Sequence, residues 1–166
     1  ISAALAPYPV DKCRIEDLAT NNIFCLAEPS GIGAPYFRHD FGIYYSQSVE
    51  HLTNKQIAAL LLEAIIFRVA QILEEFHDAL PITHVYLSGG LSAIPCLQQG
   101  IAQCVPYEIS RLQQKESSLL GAAMLAAGLR VTHQREESKI AMTSQHIALY
   151  EKYQLWKRWL DTLLNG

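Results

Sequence analysis

The stretch "LLEAIIFRVAQIL", residues 61–73, limits the fold more than any other part of the chain. It belongs to a run that opens with Thr53 and Gln56, spaced as a capping box in which each side chain satisfies the other's backbone N–H. Ile57, Leu60, Leu61, Ala64, Ile65, Val69, Ile72, Leu73 and Phe76 then recur at the helical period. Pro81 ends the run, because the residue before a proline avoids helical backbone. A helix this long with an apolar stripe needs a second layer to cover it. The rest of the chain must supply that layer.

Strands supply it on both sides. "IFCLAE" (23–28) is a short apolar run that stops at Pro29 and suits a buried strand. A glycine-rich turn, "PSGIGAPY", separates it from "FGIYYSQ" (41–47), rich in β-formers and its natural hairpin partner. After the long helix, "THVYLS" (83–88) reads as a third strand. Pro95 then opens a helix whose apolar face is Leu97, Ile101 and Val105. "YEIS" (107–110) is a brief strand, and Glu116 to Ala127 a helix dense in alanine and leucine with Gly128 as its C-terminal cap. Residues 132–145 are polar and read as a loop, and 146–164 as a terminal amphipathic helix. With 1–21 as a connecting segment, the expectation is one mixed α/β domain over 1–166.

Composition narrows the function classes. A net charge of −3 with no basic block gives no electrostatic reason to expect a nucleic acid or an anionic membrane as partner. The apolar runs are interrupted by Glu63, Arg68 or glycine before reaching the ~20 residues that span a bilayer. Residues 1–10 do not read as a signal peptide, and the lack of an initiator Met suggests a piece of a longer protein. Cys13, Cys25, Cys96 and Cys104 form no C-x-x-C pair and have no His at zinc-ligand spacing, so reduced, buried thiols in a cytoplasmic setting are expected.

The chemistry-bearing feature is "VYLSGGLSAIPCLQQ" (85–99), a strand, a glycine pair and a helix start. Beyond the carboxyl end of such a strand, Gly89 and Gly90 permit positive φ and let a phosphate or ribose approach without a Cβ in the way. Ser88 and Ser92 place hydroxyl groups on either side. The local sequence is compatible with a ligand cradle and with a plain tight turn. It is not a Walker loop, lacking Gly-Lys-Ser/Thr, nor a G-x-G-x-x-G fingerprint.

Four motifs in order reach further. "SGIGAPYF" (30–37), "LLEAIIFRVAQIL", "VYLSGGLS" and "ESSLLGAAMLAAGL" (116–129) resemble the C-terminal domain of the FGGY carbohydrate kinases, most of all the glycerol kinase branch. The closing "YEKYQLWKR" resembles that branch's terminal Tyr-x-x-Trp-Lys helix, and the likeness covers roughly residues 22–158. It implies a ribonuclease H-like domain of the actin/hexokinase ATPase type, a mixed sheet with flanking helices. It also implies ATP and Mg²⁺ as cofactors and a sugar or polyol acceptor held by an N-terminal domain that carries the Asp base. No catalytic residue and no metal ligand is then expected in this chain. Gly89, Gly90, Ser92 and Ile94 are the implied nucleotide contacts, and a homo-oligomer is compatible with the family.

Three positions depart from the branch. Ile94 stands where an Asn contacts the nucleotide, and an aliphatic chain donates no hydrogen bond. Ser88 replaces an Asp, and so does Arg38. A degenerate, non-catalytic relative with a regulatory role is therefore the alternative reading. The resemblance implies a paired structural role for Glu63, a cleft-side turn for "GIGAPYF", and close approach of two elements at Gly121, Ala122 and Ala123, with the alanines in the core. His77 and His84 read as solvated, and His39–Asp40 as a turn pair. No Ser-His-acid spacing is present, and Tyr150, Tyr153, Trp156 and Trp159 read as core packing.

Overall fold

The computed structural model describes residues 8–113, 117–129, 137–141 and 146–165. Residues 1–7 of the connecting segment, Glu116 at the expected helix start, and 132–136 and 142–145 of the polar segment lie outside them.

Everything is arranged around α1, Asn54–Ala79. Its first turn closes as the spacing predicts: the Gln56 N–H donates to Thr53 Oγ1 at 3.3 Å, and the Thr53 N–H to Gln56 Oε1 at 2.9 Å. Every residue from Ala58 to Arg68 is buried, so this stretch is covered on all faces rather than along one stripe. By length and composition α1 could cross a membrane, yet most of it is packed inside the protein. The stripe runs out before Phe76, which is 62% exposed because the last turn projects beyond the core.

One side of α1 is covered by a hairpin. β1, Cys25–Ala27, pairs antiparallel with β2, Ile43–Tyr45, in the register Leu26↔Tyr44. The intervening glycine-rich turn is fastened to α1. Arg68 donates to the Ala34 carbonyl and sits 3.3 Å from Glu28, and Gln71 Nε2 donates to the Tyr36 hydroxyl at 2.6 Å. Those contacts give "GIGAPYF" a structural job, with Phe37 left outside at 71% exposure. Arg38 is likewise engaged, with Asp40 at 2.5 Å and with the Leu164 carbonyl at 2.8 Å.

The second layer is a mixed three-stranded sheet in the order β3, β4, β5. β3, His84–Leu87, runs parallel to β4, Glu108–Leu112, and α2, Pro95–Cys104, makes the crossover. Gly100 lets α2 lie on α1, since a Cβ there would collide with the Ile66 side chain. β5, Glu137–Lys139, lies inside the segment read as a loop and pairs antiparallel with β4. Three consecutive exposed polar residues carry no strand periodicity; the free edge of β4 makes them a strand.

α4, Ile147–Asn165, seals the other side of α1 with Leu149, Lys152, Tyr153, Trp156 and Leu160. The Trp156 indole N–H donates to the Cys25 carbonyl at 2.8 Å, and its ring lies 5.7 Å from that of Phe67. Tyr150, expected in the core, is 47% exposed. Beneath this face sits a buried ion pair. Lys152 Nζ is 2.5 Å from Glu63 Oε2, and the Ala19 N–H donates to Glu63 Oε1 at 2.6 Å. Burial pushes the Glu63 carboxyl above its usual range, while the Lys152 ammonium pulls it back. The residues leading into β1 are thereby tied into the core, where Cys13, Ile15 and Leu18 are buried. All four cysteines are free and buried, and burial pushes the Cys96 and Cys104 thiols to about 12.

α3, Ser117–Ala126, corrects an expectation. Its Gly128 cap is present at φ +65°, with the Leu129 N–H closing on the Met124 carbonyl. Ala122 and Ala123 are nevertheless exposed, nothing lies within 4 Å of a Cβ at Gly121, and Leu125 is 82% exposed. An apolar composition demands cover without saying which element provides it.

Two outcomes follow from this packing. Glu63→Gln strands a buried ammonium and is expected to cost about 3–5 kcal/mol in urea denaturation, most of it regained in the Glu63→Leu/Lys152→Met double variant. Gly100→Val overpacks the α1–α2 contact and should cost about 1–3 kcal/mol, with partial recovery when Ile66→Ala is added.

Candidate functional site

β3 ends at Leu87, and the chain must reverse to start α2. Gly89 does this at φ +90°, ψ 177°, a conformation closed to a side chain of L configuration. Gly90 to Ala93 form a single 3-10 turn, and Pro95 occupies the first turn of α2. Both glycines are exposed, and a Cβ built on either meets nothing within 4 Å. The turn is therefore an open cradle of bare backbone at the carboxyl end of a parallel strand.

Ser92 and Ile94 are brought to this turn but used differently. The Ser92 hydroxyl donates to the Gly89 carbonyl at 2.7 Å, and the Gln98 side chain donates to the Ser92 carbonyl at 2.6 Å. Ser92 is 6% exposed, so it holds the turn's shape from within. Ile94 is half-buried against the core and takes the N-cap position of α2, where no side-chain hydrogen bond caps the helix. Ser88 is exposed.

Strand pairing adds residues that the sequence did not single out. Leu87 is in register with Arg111 on β4, which puts an arginine beside the residue before the turn. Arg111 is half-buried, and its Nε is shielded from solvent without a hydrogen-bond partner. The same pairing gathers His84, Ser110 and Glu108, with Nε2 to Oγ at 3.0 Å and Nδ1 to Oε2 at 3.5 Å. This resembles a hydrolase triad in connectivity only. Ser110 is 0% exposed and cannot meet a substrate, and the Tyr86 ring stacks on His84 at 4.4 Å. His84 is thus held between strands rather than solvated. His77 is also engaged: the Ile82 N–H donates to its Nδ1 at 3.1 Å, and its ring packs on Tyr107. Asp40 pairs with Arg38 rather than His39.

A concavity of about 570 Å³ opens on another side of α2's first turn, lined by Asp11, Lys12, Arg14, Glu16, Pro95 and Gln99. Its mixed charges favour neither anions nor cations, and it does not include the glycine pair. Among the described residues no group of three His, Cys, Asp or Glu side chains is placed to hold a metal.

Comparison with known proteins sets this geometry in context. Residues 7–129 match the C-terminal domain of the FGGY family of carbohydrate kinases. The glycerol kinase of Renibacterium salmoninarum is 29% identical over 125 residues, covering 71% of this chain and 25% of that protein. The glycerol kinase of Thermococcus kodakarensis is 27% identical over 165 residues, covering 89% and 32%. The chain thus spans between a quarter and a third of the length of these relatives. Among solved structures, Plasmodium falciparum glycerol kinase with ADP superposes with a TM-score of 0.68 at 19% identity, over 92% of this chain and 32% of that one. A ligand-bound xylulose kinase from Lactobacillus acidophilus gives 0.71 at 16%, over 93% and 33%. The fold is the α/β fold of the actin/hexokinase-like ATPases, as these neighbours share it. The chain belongs to the FGGY family of carbohydrate kinases and carries its C-terminal domain.

Proposed function

We propose that residues 1–166 form the nucleotide-binding half of an ATP-dependent kinase that phosphorylates a hydroxyl of a sugar or polyol. The observation that carries this reading is the open cradle at Gly89 and Gly90, at the carboxyl end of a parallel strand and leading directly into α2. Backbone N–H groups at such a turn and at the helix start suit an anionic or hydroxyl-rich ligand. Arg111, in register with Leu87 just before the turn, has an orphaned Nε that also fits a group with phosphates.

In this reading ATP supplies the phosphoryl group, and Mg²⁺ offsets its charge. This chain's own part is to position: Gly89 and Gly90 admit the ligand, and Ser92 with Gln98 keeps the turn rigid. The acceptor and the Asp base belong to an N-terminal domain, as the family resemblance implies, and a cytoplasmic enzyme is the setting it suggests. Domain closure then brings the two halves together around the substrates.

A second reading has its own support. Ile94 leaves the N-terminus of α2 without a polar cap, and Ser88 takes the place of an acidic residue, so a degenerate relative with a regulatory role would look the same here. Isothermal titration of the longest parent polypeptide with Mg-ATP separates the two, since complete absence of binding selects the regulatory reading.

Two outcomes test the kinase reading. The 166-residue chain, given Mg-ATP with glycerol or xylulose, is expected to form no phosphorylated product above background, and turnover by it would overturn the division of labour. Gly90→Leu fills the cradle at a position with unremarkable φ and free space, so nucleotide binding should be lost while the thermal midpoint holds. Unchanged binding would reduce the glycine pair to a turn.

A further inference from the structure

We infer that Arg111 is a phosphate-binding residue of this turn, gripping the phosphate chain of the bound nucleotide from the neighbouring strand. The inference rests on the nucleotide reading above and adds to it a residue that the sequence motifs did not contain.

Residues in parallel register on adjacent strands share a face of the sheet, and every second residue returns to that face. Val85 pairs with Ile109 and Leu87 with Arg111. Ile109 is 2% exposed, and Val85 and Leu87 pack against the core, so this face is the one applied to the helical layer. Arg111 therefore lies on the inner face at the carboxyl end of β4. The carboxyl end of β3 and the first turn of α2 meet at the same edge.

A guanidinium in such a place requires compensation. Arg68, which is fully buried, has it. Its Nε makes no hydrogen bond either, but Glu28 lies 3.3 Å from it. The rest of the guanidinium donates to Gln71 Oε1 at 3.1 Å and to the Ala34 carbonyl. For Arg111, no hydrogen bond or ion pair is present among the described residues, and its Nε is cut off from solvent. A buried donor left unpaired is costly, more so when charged. The start of α2 adds to the demand, because an uncapped helix N-terminus carries partial positive charge at the same edge. Two positive groups thus lie at the sheet edge where the bare glycine backbone begins, Arg111 through its register with Leu87 and the helix start through Ile94. An anion with several oxygens satisfies both, and a phosphate chain offers pairs of oxygens that the planar fork of a guanidinium grips two at a time.

The glycine turn and the arginine divide the ligand between them. The turn accepts any group that needs bare backbone, whereas Arg111 answers only to the phosphates. That separation makes the assignment testable on the 166-residue chain by ¹⁵N NMR titration with adenosine, ADP and inorganic pyrophosphate. ADP and pyrophosphate are expected to shift the Gly89 and Gly90 amide signals and the Arg111 Nε–H, and adenosine to leave the Arg111 signal in place. Arg111→Gln should weaken ADP by about tenfold or more while changing adenosine by less than about twofold, and Arg111→Lys should recover part of the loss. Equal losses for ADP and adenosine, or no loss for either, would overturn the assignment. If Arg111→Gln does not give a native-like spectrum, Arg111→Lys and the pyrophosphate titration of the unaltered chain decide the matter. If neither ADP nor adenosine moves residues 89–94 in the unaltered chain, the nucleotide reading falls with it. If ADP moves them and pyrophosphate leaves Arg111 untouched, only the arginine assignment falls.

Discussion

Burial of α1 on every face is the constraint on which the rest depends. Eleven consecutive residues, Ala58 to Arg68, are withdrawn from water, so cover must come from several directions at once. The hairpin, α2 and α4 each take a sector. Two of the eleven are charged, and each brings its own compensation. Glu63 draws Lys152 from α4 and the Ala19 N–H from the incoming chain, while Arg68 draws Glu28 and the backbone of the glycine-rich turn. The hydrophobic helix gathers the layers, and its two charges specify which neighbours sit where. Buried polar groups of this kind add little net stability but tolerate few alternative arrangements.

Much of that plan was legible in the residues. Thr53 with Gln56 marked the start of α1, Pro81 its limit, and the glycine pair the end of β3, because caps, prolines and glycines act locally. What escaped was produced by pairing between distant segments. Glu137–Lys139 is a strand only because β4 has a free edge beside it. His84, Ser110 and Glu108 meet only because β3 and β4 run parallel in one particular register, and the same register places Arg111 beside Leu87. The apolar sequence of α3 suggested burial, yet Leu119, Leu125 and Leu129 are exposed, since hydrophobicity records a need for cover and not its source.

The site shows the same limit at finer scale. Gly89 and Gly90 could be singled out from type and order alone, as the positive φ at Gly89 bears out for the turn itself. Ser92 could be singled out too, but not the direction of its hydroxyl, which closes the turn on the Gly89 carbonyl. Ile94 was marked by what it replaces. In place, it is a core-facing residue at a helix start, offering packing and no polar contact.

The contact between Gly100 and Ile66 bears on how this turn can move. Backbone rests directly on a fully buried isoleucine there, with no space for even a Cβ between the two helices, so they are held in close contact. Pro95 lies five residues away, about 7–8 Å along the helix axis. The cradle is thus mounted on a short, stiff arm anchored in the centre of the domain. Its position is inherited from the core, and a ligand that pulls on it pulls on the whole body rather than on a hinge of its own.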